Sequence, residues 1–371
     1  MKNLCNREKR LKRKMSLKKL RREIDEIDKK ILSFLNRRAD RTIRIGLLKT
    51  KEGGSVFDPT REREIYEKVS RLNRGPLSSE TVQAIYREVI SGARALEKSL
   101  TIAYQGPPLS YAHLAAQKVF GSQVSYSDVM TIGDVFTEVE RDRADYGAVP
   151  IENSIEGTVG YTLDRFTDTE LTICSEVFLK IDHCLVGRAK TMNRVKRLYF
   201  HPQAFAQCRS WLEEHLYHLK PRDYVEVLST SMAASMASHH AESAAIAHED
   251  AARQYRLRIL SRSIGESHRN VTRFLLIGKN GSGRTGRDKT SLMFSIKDRI
   301  GALHDILVPF KMNGINLTKI ESRPSRKKPW EYYFFVDLKG HKDEKKVKQA
   351  ITSLEKHCTF LKILGSYPAT R

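Results

Sequence analysis

Apolar residues in the first hundred positions follow a helical period. In "LKKLRREIDEIDKKILSFL" they recur every three or four residues, at Leu20, Ile24, Ile27, Ile31 and Leu35. The helical pattern continues for more than about 25 residues, which is longer than a lone helix usually sustains. A second helix is predicted at "FDPTREREIYEKVSRL", where Asp58 caps and Pro59 suits the first turn, and a third at "SSETVQAIYREVISGARALEK". Three such helices cannot bury their apolar stripes alone, so we expect a helical homodimer or a larger homo-oligomer.

The pattern changes near residue 100, where short strand-like runs alternate with helix-like segments. The strand-like runs include "LTIAYQG", "SQVSYS", "YGAVPIEN", "LTICSEVFLKIDHCLVG", "RLYF", "YVEVLST", "SAAIAH" and "RFLLIG". This alternation predicts an α/β domain with a mostly parallel sheet and helices on both faces. Ligands bind at the carboxyl ends of the strands in such sheets, so functional residues are expected just after strands.

The last section follows a glycine-rich linker, "KNGSGRTGRD". Its elements read strand, helix, strand, strand, helix, strand, which predicts an α+β, ferredoxin-like domain. Because 371 residues exceed what one core serves, we expect a multidomain chain. We divide it into a basic tail (1–16), an all-α helical domain (17–99), an α/β domain (100–279), a linker (280–288) and the last domain (289–371).

The formal net charge of +22 favours anionic partners. Much of the excess lies in "KNLCNREKRLKRKMSLKKLRR", without zinc-finger spacing or an aromatic-studded groove, so we expect small carboxylates and no nucleic acid.

Apolar runs fall short of the roughly 18 residues that a membrane span needs, and the N-terminus lacks the apolar core of a secretory signal. We expect a cytoplasmic protein without a membrane partner, with an organelle transit peptide as the alternative. The five cysteines are odd in number and widely spaced, which fits neither a disulfide framework nor a metal site.

Cations recur along the first helix. Arg38 and Lys49 are eleven residues apart, so they project from one face about 16 Å apart along the axis. Two long side chains leaning together would grip a small dianion. Arg21 lies about 25 Å before Arg38 by the same rise, so a second chain would have to supply it to that ligand.

The helical section resembles the all-helical chorismate mutases, whose dimer builds each pocket from both chains. The resemblance rests on "LRREIDEIDKKILSFLNRR", Gly46, Lys49 and "DPTRERE". It implies that the substrate is held by Arg21 of the second chain, Arg38, Lys49, Asp58, Arg61, Glu62 and Glu97. The arginines would hold the two carboxylates, Lys49 the ether oxygen, and Asp58 with Glu62 the ring hydroxyl. Glu97 stands where a glutamine also serves, and an acid must be protonated to donate, so we expect mutase activity to fall as pH rises.

The α/β section resembles prephenate dehydratase, a fold of two α/β lobes around a cleft, similar to periplasmic binding proteins. The resemblance rests on "YGAVPIENSIEGTV", "HPQA" with "QC", and "NVTRF". It implies that dehydration depends on Thr272, with Arg273 as its neighbour at the substrate and Asn153, Ser154 and Thr158 lining the cleft. Metal and redox cofactors are not required, since aromatisation drives the loss of carbon dioxide and hydroxide. One loop, "GPPLSYAHLAA", departs from the family, which commonly has glycine at Leu109 and a hydroxyl residue at Ala112.

The last section resembles the ACT module of such dehydratases, in which two motifs line a phenylalanine site between subunits. The motifs are "IGALHDIL" and "ESRP". The implied effector-binding residues are Gly301, Ala302, Leu303, His304, Glu321, Ser322, Arg323 and Pro324.

Together these resemblances imply a bifunctional enzyme of phenylalanine biosynthesis. It would rearrange chorismate to prephenate and convert prephenate to phenylpyruvate, with phenylalanine as feedback effector. Arogenate dehydration is an enzymatic alternative, although a mutase domain makes prephenate. An amino-acid sensor without turnover is a second alternative, and Lys49 and Thr272 argue against it.

Overall fold

The computed structural model describes residues 17–52, 55–267, 269–297, 299–325 and 331–370, so the basic tail lies outside it. Three helices come first, a two-lobed α/β domain follows, and a smaller α+β domain ends the chain. This order confirms the multidomain fold class predicted from the sequence. Within the described residues, no helix has the length and apolar character that crossing a bilayer requires.

The helical domain consists of α1 (Leu17–Glu52), α2 (Pro59–Leu72) and α3 (Ser79–Glu97). Asp58 caps α2 by accepting a hydrogen bond from the Arg61 amide, and Pro59 opens its first turn, as predicted. The predicted apolar stripe is present on α1, which is 36 residues long, but this chain leaves it exposed at Leu20, Ile24, Ile27, Ile31 and Leu35. An exposed apolar row of this length is typical of an interaction surface.

The helical domain packs directly onto the α/β domain. Phe57, in the loop before α2, is 3% exposed and shares a core with Leu100, Phe120 and Tyr146. The Ser55 and Tyr146 hydroxyls also lie 2.8 Å apart. The entry to α2 is therefore part of the core of the neighbouring domain.

The α/β domain contains ten strands and seven helices of its own between residues 101 and 261, and one strand that returns later. In chain order they are β1 (Thr101–Gln105), α4 (Tyr111–Phe120), β2 (Ser125–Val129), α5 (Ile132–Glu140), β3 (Tyr146–Asn153), β4 (Gly157–Thr158), α6 (Gly160–Arg165), β5 (Thr172–Lys180), β6 (Cys184–Gly187), β7 (Arg197–Phe200), α7 (Pro202–Ala206), α8 (Arg209–His215), β8 (Tyr224–Glu226), α9 (Thr230–Ser238), β9 (Ser243–Ala247), α10 (Glu249–Gln254), β10 (Arg258–Ser261) and β11 (Val271–Gly278). Two 3₁₀ turns, Met192–Arg194 and Pro221–Asp223, complete the second lobe.

The strands form two sheets, one in each lobe. The first lobe has the order β2-β1-β3-β11-β5 with β4 beside β3, and the second has the order β10-β6-β9-β7-β8. The prediction of a mostly parallel sheet is wrong, because β11 runs antiparallel to both β3 and β5, and β6 runs antiparallel to β9 and β10. After the chain has built the second lobe, β11 re-enters the first lobe between β3 and β5 from the opposite direction.

The third domain contains β12 (Asp288–Ile296), α11 (Ala302–Met312), β13 (Leu317–Pro324), β14 (Tyr332–Lys339), α12 (Lys345–Glu355) and β15 (Cys358–Pro368). Its antiparallel sheet has the order β13-β14-β12-β15, which confirms the ferredoxin-like prediction. Met293, Phe335 and Tyr367 of this sheet share a buried core with Ile173 and Leu275 of the first lobe. The third domain is thus docked on the sheet that carries β11.

Candidate active sites and the contacts that join them to the third domain

Thr272 and Asn153 lie side by side at the mouth of the interlobe cleft. Strand pairing places Thr272 opposite Asn153, and the Asn153 amide Nδ2 donates to Thr272 Oγ1 at 2.8 Å. The Asn153 amide oxygen accepts hydrogen bonds from the backbone N–H groups of Ile155 and Glu156. The amide is therefore fixed as the donor, and the hydroxyl of Thr272 retains its own proton for donation elsewhere.

A chain of polar side chains continues from Asn153 across the cleft. Asn153 also donates to Asn270, which donates to Gln207 at 2.8 Å. Gln207 lies beyond α7 in the second lobe, and its amide donates to Glu156 at 2.6 Å. A glutamine of the "HPQAFAQC" segment thus links the two lobes next to Thr272.

His183 joins the same network from the connection between β5 and β6. Its Nε2 lies 2.9 Å from Gln207 Oε1, and its Nδ1 lies 3.2 Å from the Tyr111 hydroxyl. Burial lowers the pKa of His183, while the hydrogen bond to Gln207 acts in the opposite direction. The imidazole is therefore mainly neutral at pH 7. His183, Gln207 and Asn270 line a small pocket to which Lys180 adds a cation.

His183, Gln207 and Lys180 were not predicted as site residues from the sequence. The "QC" pair did signal the segment that contains Gln207, but nothing local marks "KIDHC" as a crossing between lobes. Ser154 was predicted to line the cleft, yet its hydroxyl donates to the Arg269 carbonyl and accepts from the Val271 amide. That hydroxyl serves to join the end of β3 to the start of β11.

Arg273 and Thr158 do not face the cleft, contrary to the prediction for both. Thr158 on β4 and Arg273 on β11 each lie opposite Glu152, whereas Asn153 lies opposite Thr272. Residues directly opposite each other in antiparallel strands point to the same face, and consecutive residues alternate between faces. Arg273 and Thr158 therefore project toward the third domain.

The Arg273 guanidinium is almost fully buried between two domains. It donates to Glu176 at 2.8 Å, to Asp337 of the third domain at 2.6 Å and to the Tyr367 hydroxyl at 2.9 Å. Lys289 of the third domain adds a second cation, 2.7 Å from Glu176. Burial opposes the charge on Arg273, but Tyr367, Asp337 and Glu176 together raise its pKa. The strand that positions Thr272 is thus tied by its next residue to the third domain.

Thr158 contacts the "ESRP" motif itself. Its hydroxyl donates to Glu321 at 2.9 Å and accepts from Lys319 at 3.0 Å. Arg323 of the same motif donates to Asp164 of α6 at 2.8 Å. Two residues predicted to bind an effector are therefore in direct contact with the dehydratase-like domain.

The other predicted effector residues occupy the start of α11 and the length of β13. Gly301 precedes α11 in the left-handed conformation, with a φ of 79° that suits glycine. Ala302 is buried, whereas Leu303 and His304 are exposed. Ser322 and Pro324 lie on β13, which Pro324 ends. The two motifs thus belong to separate elements of the third domain.

The helical domain brings Lys49, Glu62 and Glu97 together. Gly46 lets α3 approach closely, because a Cβ at this position would stand 2.8 Å from Glu97 Cγ. Burial raises the pKa of Glu97, with Lys49 and Arg94 opposing. Among the side chains that the structure describes, Glu97 Oε2 is a buried oxygen without a hydrogen-bond partner. An unpartnered buried carboxyl oxygen beside a lysine is an arrangement suited to a ligand.

Glu62 is also a buried acid with a perturbed pKa. Burial raises this pKa to about 7, Arg94 and Lys49 lower it, and Asp58 raises it. Its Oε1 lies 3.4 Å from Arg94 Nη1. Glu62 therefore changes charge near neutral pH, within the same cluster as Lys49.

The remaining predicted cations are not brought to this cluster within one chain. Arg21 is exposed and Arg38 is partly exposed on α1. The Arg61 side chain is 64% exposed and pairs with Glu64 at 2.6 Å. Arg21 and Arg61 therefore face solvent within this chain, and Arg38 is half-buried on α1.

The loop "GPPLSYAHLAA", which departs from the family, has a backbone conformation at Leu109 that suits the glycine commonly found there in the family. Leu109 has a φ of 64°, a left-handed conformation that costs a non-glycine residue about 1–2 kcal/mol. Its side chain packs against the core of the second lobe, and its amide donates to His113 Nδ1 at 2.9 Å. Ala112 is buried in the core of the first lobe. The strained backbone at Leu109 thus accompanies a side-chain contact between the two lobes.

These sites define the chain as a multidomain enzyme with a helical mutase domain, a two-lobed dehydratase domain and a regulatory domain. Residues 20–98 match the chorismate mutase type II family, residues 102–282 match prephenate dehydratase and residues 290–356 match the ACT domain. The chain belongs to the family of bifunctional chorismate mutase/prephenate dehydratases. It is therefore an enzyme with an isomerase domain and a lyase domain.

Relatives and a solved structure support this assignment over almost the whole chain. The bifunctional chorismate mutase/prephenate dehydratase of Aquifex aeolicus is 48% identical over 95% of this chain and 98% of its own. That of Pseudomonas aeruginosa is 40% identical, over 95% and 97%. The prephenate dehydratase of Arthrobacter aurescens, solved in complex with L-Phe, is 34% identical with a TM-score of 0.67, over 73% of this chain and 90% of its own.

Proposed function

We propose that Thr272 is the proton donor for dehydration of prephenate and that Lys49 and Glu97 promote the rearrangement of chorismate. The observation that supports the first role most directly is the 2.8 Å hydrogen bond from Asn153 to Thr272 Oγ1. Because the Asn153 amide donates to a lone pair of Thr272 Oγ1, the hydroxyl proton of Thr272 is available to a leaving oxygen in the cleft.

Dehydration of prephenate requires two bonds to break together. The ring carbon releases its hydroxyl group, which takes up the proton of Thr272 to leave as water, and Thr272 regains a proton from solvent. The bond to the ring carboxylate breaks as well, and its electron pair enters the ring as carbon dioxide departs. Thr272 donates a hydrogen bond to the departing oxygen, while Lys180 and the amides of Asn270 and Gln207 hold substrate carboxylates.

The rearrangement of chorismate needs no nucleophile, since bonds break and form within one molecule. The protein has to hold a reactive conformer and stabilise charge on the breaking ether oxygen. Lys49 and protonated Glu97 donate to this oxygen. Arg38 and Arg61 bind the substrate carboxylates, Asp58 and Glu62 bind the ring hydroxyl, and a second chain supplies Arg21. The exposed apolar row on α1 supports this dimer.

Phenylalanine is proposed as the effector of the third domain, at Gly301 to His304 and Glu321 to Pro324. An effector that shifts an equilibrium must bind two states of the protein differently. The contacts of Glu321 with Thr158 and of Arg323 with Asp164 supply such a difference, because a ligand that engages these side chains competes with the second domain.

We also propose that the enzyme works in the cytoplasm. The described cysteines, Cys174, Cys184, Cys208 and Cys358, are all thiols. Burial raises the pKa of Cys174 and Cys208 to about 12, so both thiols are unreactive core residues in a reducing compartment.

Separate variants of Thr272 and Lys49 test the two assignments. The purified chain is given chorismate, then prephenate, and phenylpyruvate is followed. Thr272→Ala should lower dehydratase kcat about a hundredfold or more and spare the mutase, and Lys49→Ala should do the reverse. Thr172→Ala, at a hydroxyl of the same sheet that bonds the Gly278 carbonyl, is the matched control. Loss of both activities in either variant would refute two separate sites.

A further inference from the structure

Arg94 on α3 is a buried cation at the junction of the helical and dehydratase domains. Its side chain is 3% exposed. The guanidinium lies over the rings of Phe57 and Phe120, 5.5 and 5.2 Å from their centroids. Its Nη2 donates to the Phe120 carbonyl at 2.8 Å, at the end of α4. One edge of this guanidinium is thus anchored in the dehydratase domain.

The other edge of the same guanidinium faces the mutase cluster. Arg94 Nη1 lies 3.4 Å from Glu62 Oε1, and the Glu62 side chain is only 10% exposed. An arginine does not lose its proton in a protein, so a buried guanidinium needs a nearby carboxylate. Because the guanidinium is planar, fixing one edge at Phe120 also fixes the direction in which the other edge meets Glu62.

We propose that Arg94 is a positioning residue for the mutase, which orients the Glu62 carboxylate and favours its charged form by using the dehydratase domain as an anchor. This inference rests on the role of Glu62 at the substrate hydroxyl proposed above. It gives the domain junction a part in the rearrangement, although Arg94 itself belongs to neither predicted site.

The charges around Glu62 fix the direction of the expected pH effect. Arg94 faces it from α3, Lys49 from α1, and Asp58 and Tyr66 from the start and second turn of α2. Burial raises the pKa of Glu62 to about 7, and Arg94 is the main group that lowers it. Loss of Arg94 therefore raises this pKa further. The charged carboxylate is present above its pKa and lost as pH falls through it, so a variant without Arg94 loses it at a higher pH.

A purely structural role for Arg94 predicts something different. If Arg94 only packed Phe57 against Phe120, its removal would lower stability and both activities, with the same factor at each pH. The two roles are therefore separated by the pH dependence of the mutase and by coupling to Glu62.

The test compares Arg94→Met, Glu62→Gln and the double variant in the full chain. Methionine keeps the unbranched apolar stem between the two rings and removes the charge. Arg87→Met, at a partly exposed arginine two turns earlier on α3 that pairs with Glu88, is the matched control. Mutase kcat/KM is measured from acid to alkaline pH, and dehydratase activity on prephenate is measured in the same samples.

Arg94→Met should lower mutase kcat/KM about tenfold or more at neutral pH, and its ratio to the parent should recover as pH rises. Dehydratase activity should stay within about twofold, and Arg94→Met should add little in the Glu62→Gln background. If the ratio of variant to parent mutase kcat/KM does not change with pH, or if the two single effects multiply in the double variant, the role proposed for Arg94 is wrong and that of Glu62 is untouched. Glu62→Gln without any effect would remove both the role of Glu62 and this inference.

Arg94→Lys covers the case in which Arg94→Met fails to fold. Lysine keeps the charge but is a single point donor, so it cannot bond the Phe120 carbonyl and at the same time hold a second, rigidly placed N–H group beside Glu62. We expect Arg94→Lys to lower mutase kcat/KM less than Arg94→Met does. In the Glu62→Gln background, Arg94→Lys should add little further loss. Parent-like mutase kinetics in Arg94→Lys, together with additivity to Glu62→Gln, would also reject the inference.

Discussion

Arg273 and Asp337 belong to different domains, and their side chains form a buried ion pair at 2.6 Å. Arg273 directly follows Thr272 on β11, and Asp337 lies on β14 of the third domain. Asp337 also accepts a hydrogen bond from Ser291 of β12. The inner strands of the third domain are thus held to the residue next to the proposed proton donor.

Removing one partner of this pair should destabilise the protein strongly. Arg273→Met leaves Asp337 buried without its cation and Glu176 with Lys289 alone, and removing one partner of a buried pair typically costs about 3–5 kcal/mol. Denaturant unfolding measures the change in the free energy of unfolding. Lys279→Met, at the exposed pair with Asp142, is the control and should cost about 0–1 kcal/mol. Equal effects of the two substitutions would contradict the buried ion cluster.

Thr158→Val should strengthen inhibition by phenylalanine, because the hydroxyl contact that competes with the effector for Glu321 is lost. The substitution keeps the shape of the side chain but removes the hydroxyl that bonds both Glu321 and Lys319. A lost hydrogen bond to a charged group corresponds to about a tenfold change in an equilibrium. Dehydratase rates at increasing phenylalanine concentrations measure it, and Thr167→Val, whose hydroxyl bonds only the Asp164 carbonyl, serves as control. An unchanged inhibition curve would exclude this contact from the coupling.

Mutase activity should fall as pH rises through the pKa of Glu97. Burial raises this pKa, and only the protonated acid donates to the ether oxygen. Glu97→Gln carries a donor that does not titrate, so mutase kcat/KM of this variant should hold at alkaline pH. Comparing the alkaline limbs of the two pH profiles checks this. If both limbs fall alike, another group is responsible.

Mixing two inactive variants should restore part of the mutase activity. Arg21→Ala and Arg38→Ala chains each lack one cation, but a mixed dimer has one pocket with both. Random mixing makes half of the dimers mixed, with one intact pocket of two, so about one quarter of the parental activity should return. Each variant alone and refolded without mixing is the control. If no mutase activity returns on mixing, either both arginines of a pocket come from the same chain, or at least one of them lies outside the pocket.

The local elements could be predicted because their signals are local. The apolar period gave α1, the Asp58–Pro59 pair gave the start of α2, and "ENS" and "NVTRF" indicated where Asn153 and Thr272 would meet. Strand β10 was not predicted, because "RILS" is short and its partner β6 is more than 70 residues earlier. The split of "AFAQCRSWLEEHL" into α7 and α8 also carries no proline or glycine signal.

Predictions that required the direction of a side chain failed for a different reason. A motif states which residues are neighbours in sequence, whereas the register of β11 and β4 decides which face each one occupies. Thr158 and Arg273 were assigned to the cleft from the motifs that carry the family resemblance, but both point to the third domain. The contact of Arg94 with Phe120 joins two domains and leaves no pattern within α3.

The alternation along β11 places Thr272, the proposed proton donor, and Arg273, which binds the third domain, one peptide unit apart and on opposite faces. Under the proposed roles, substitution of an odd-numbered residue of this strand acts on the contact with the third domain, whereas substitution of Thr272 acts on the reaction. Insertion of one residue between Arg273 and Phe274 would exchange the faces of Thr272 and Arg273, because the buried residues from Phe274 to Ile277 hold the register of the strand. Selection can therefore adjust the sensitivity of this enzyme through point substitutions, but it has to preserve the length of this strand.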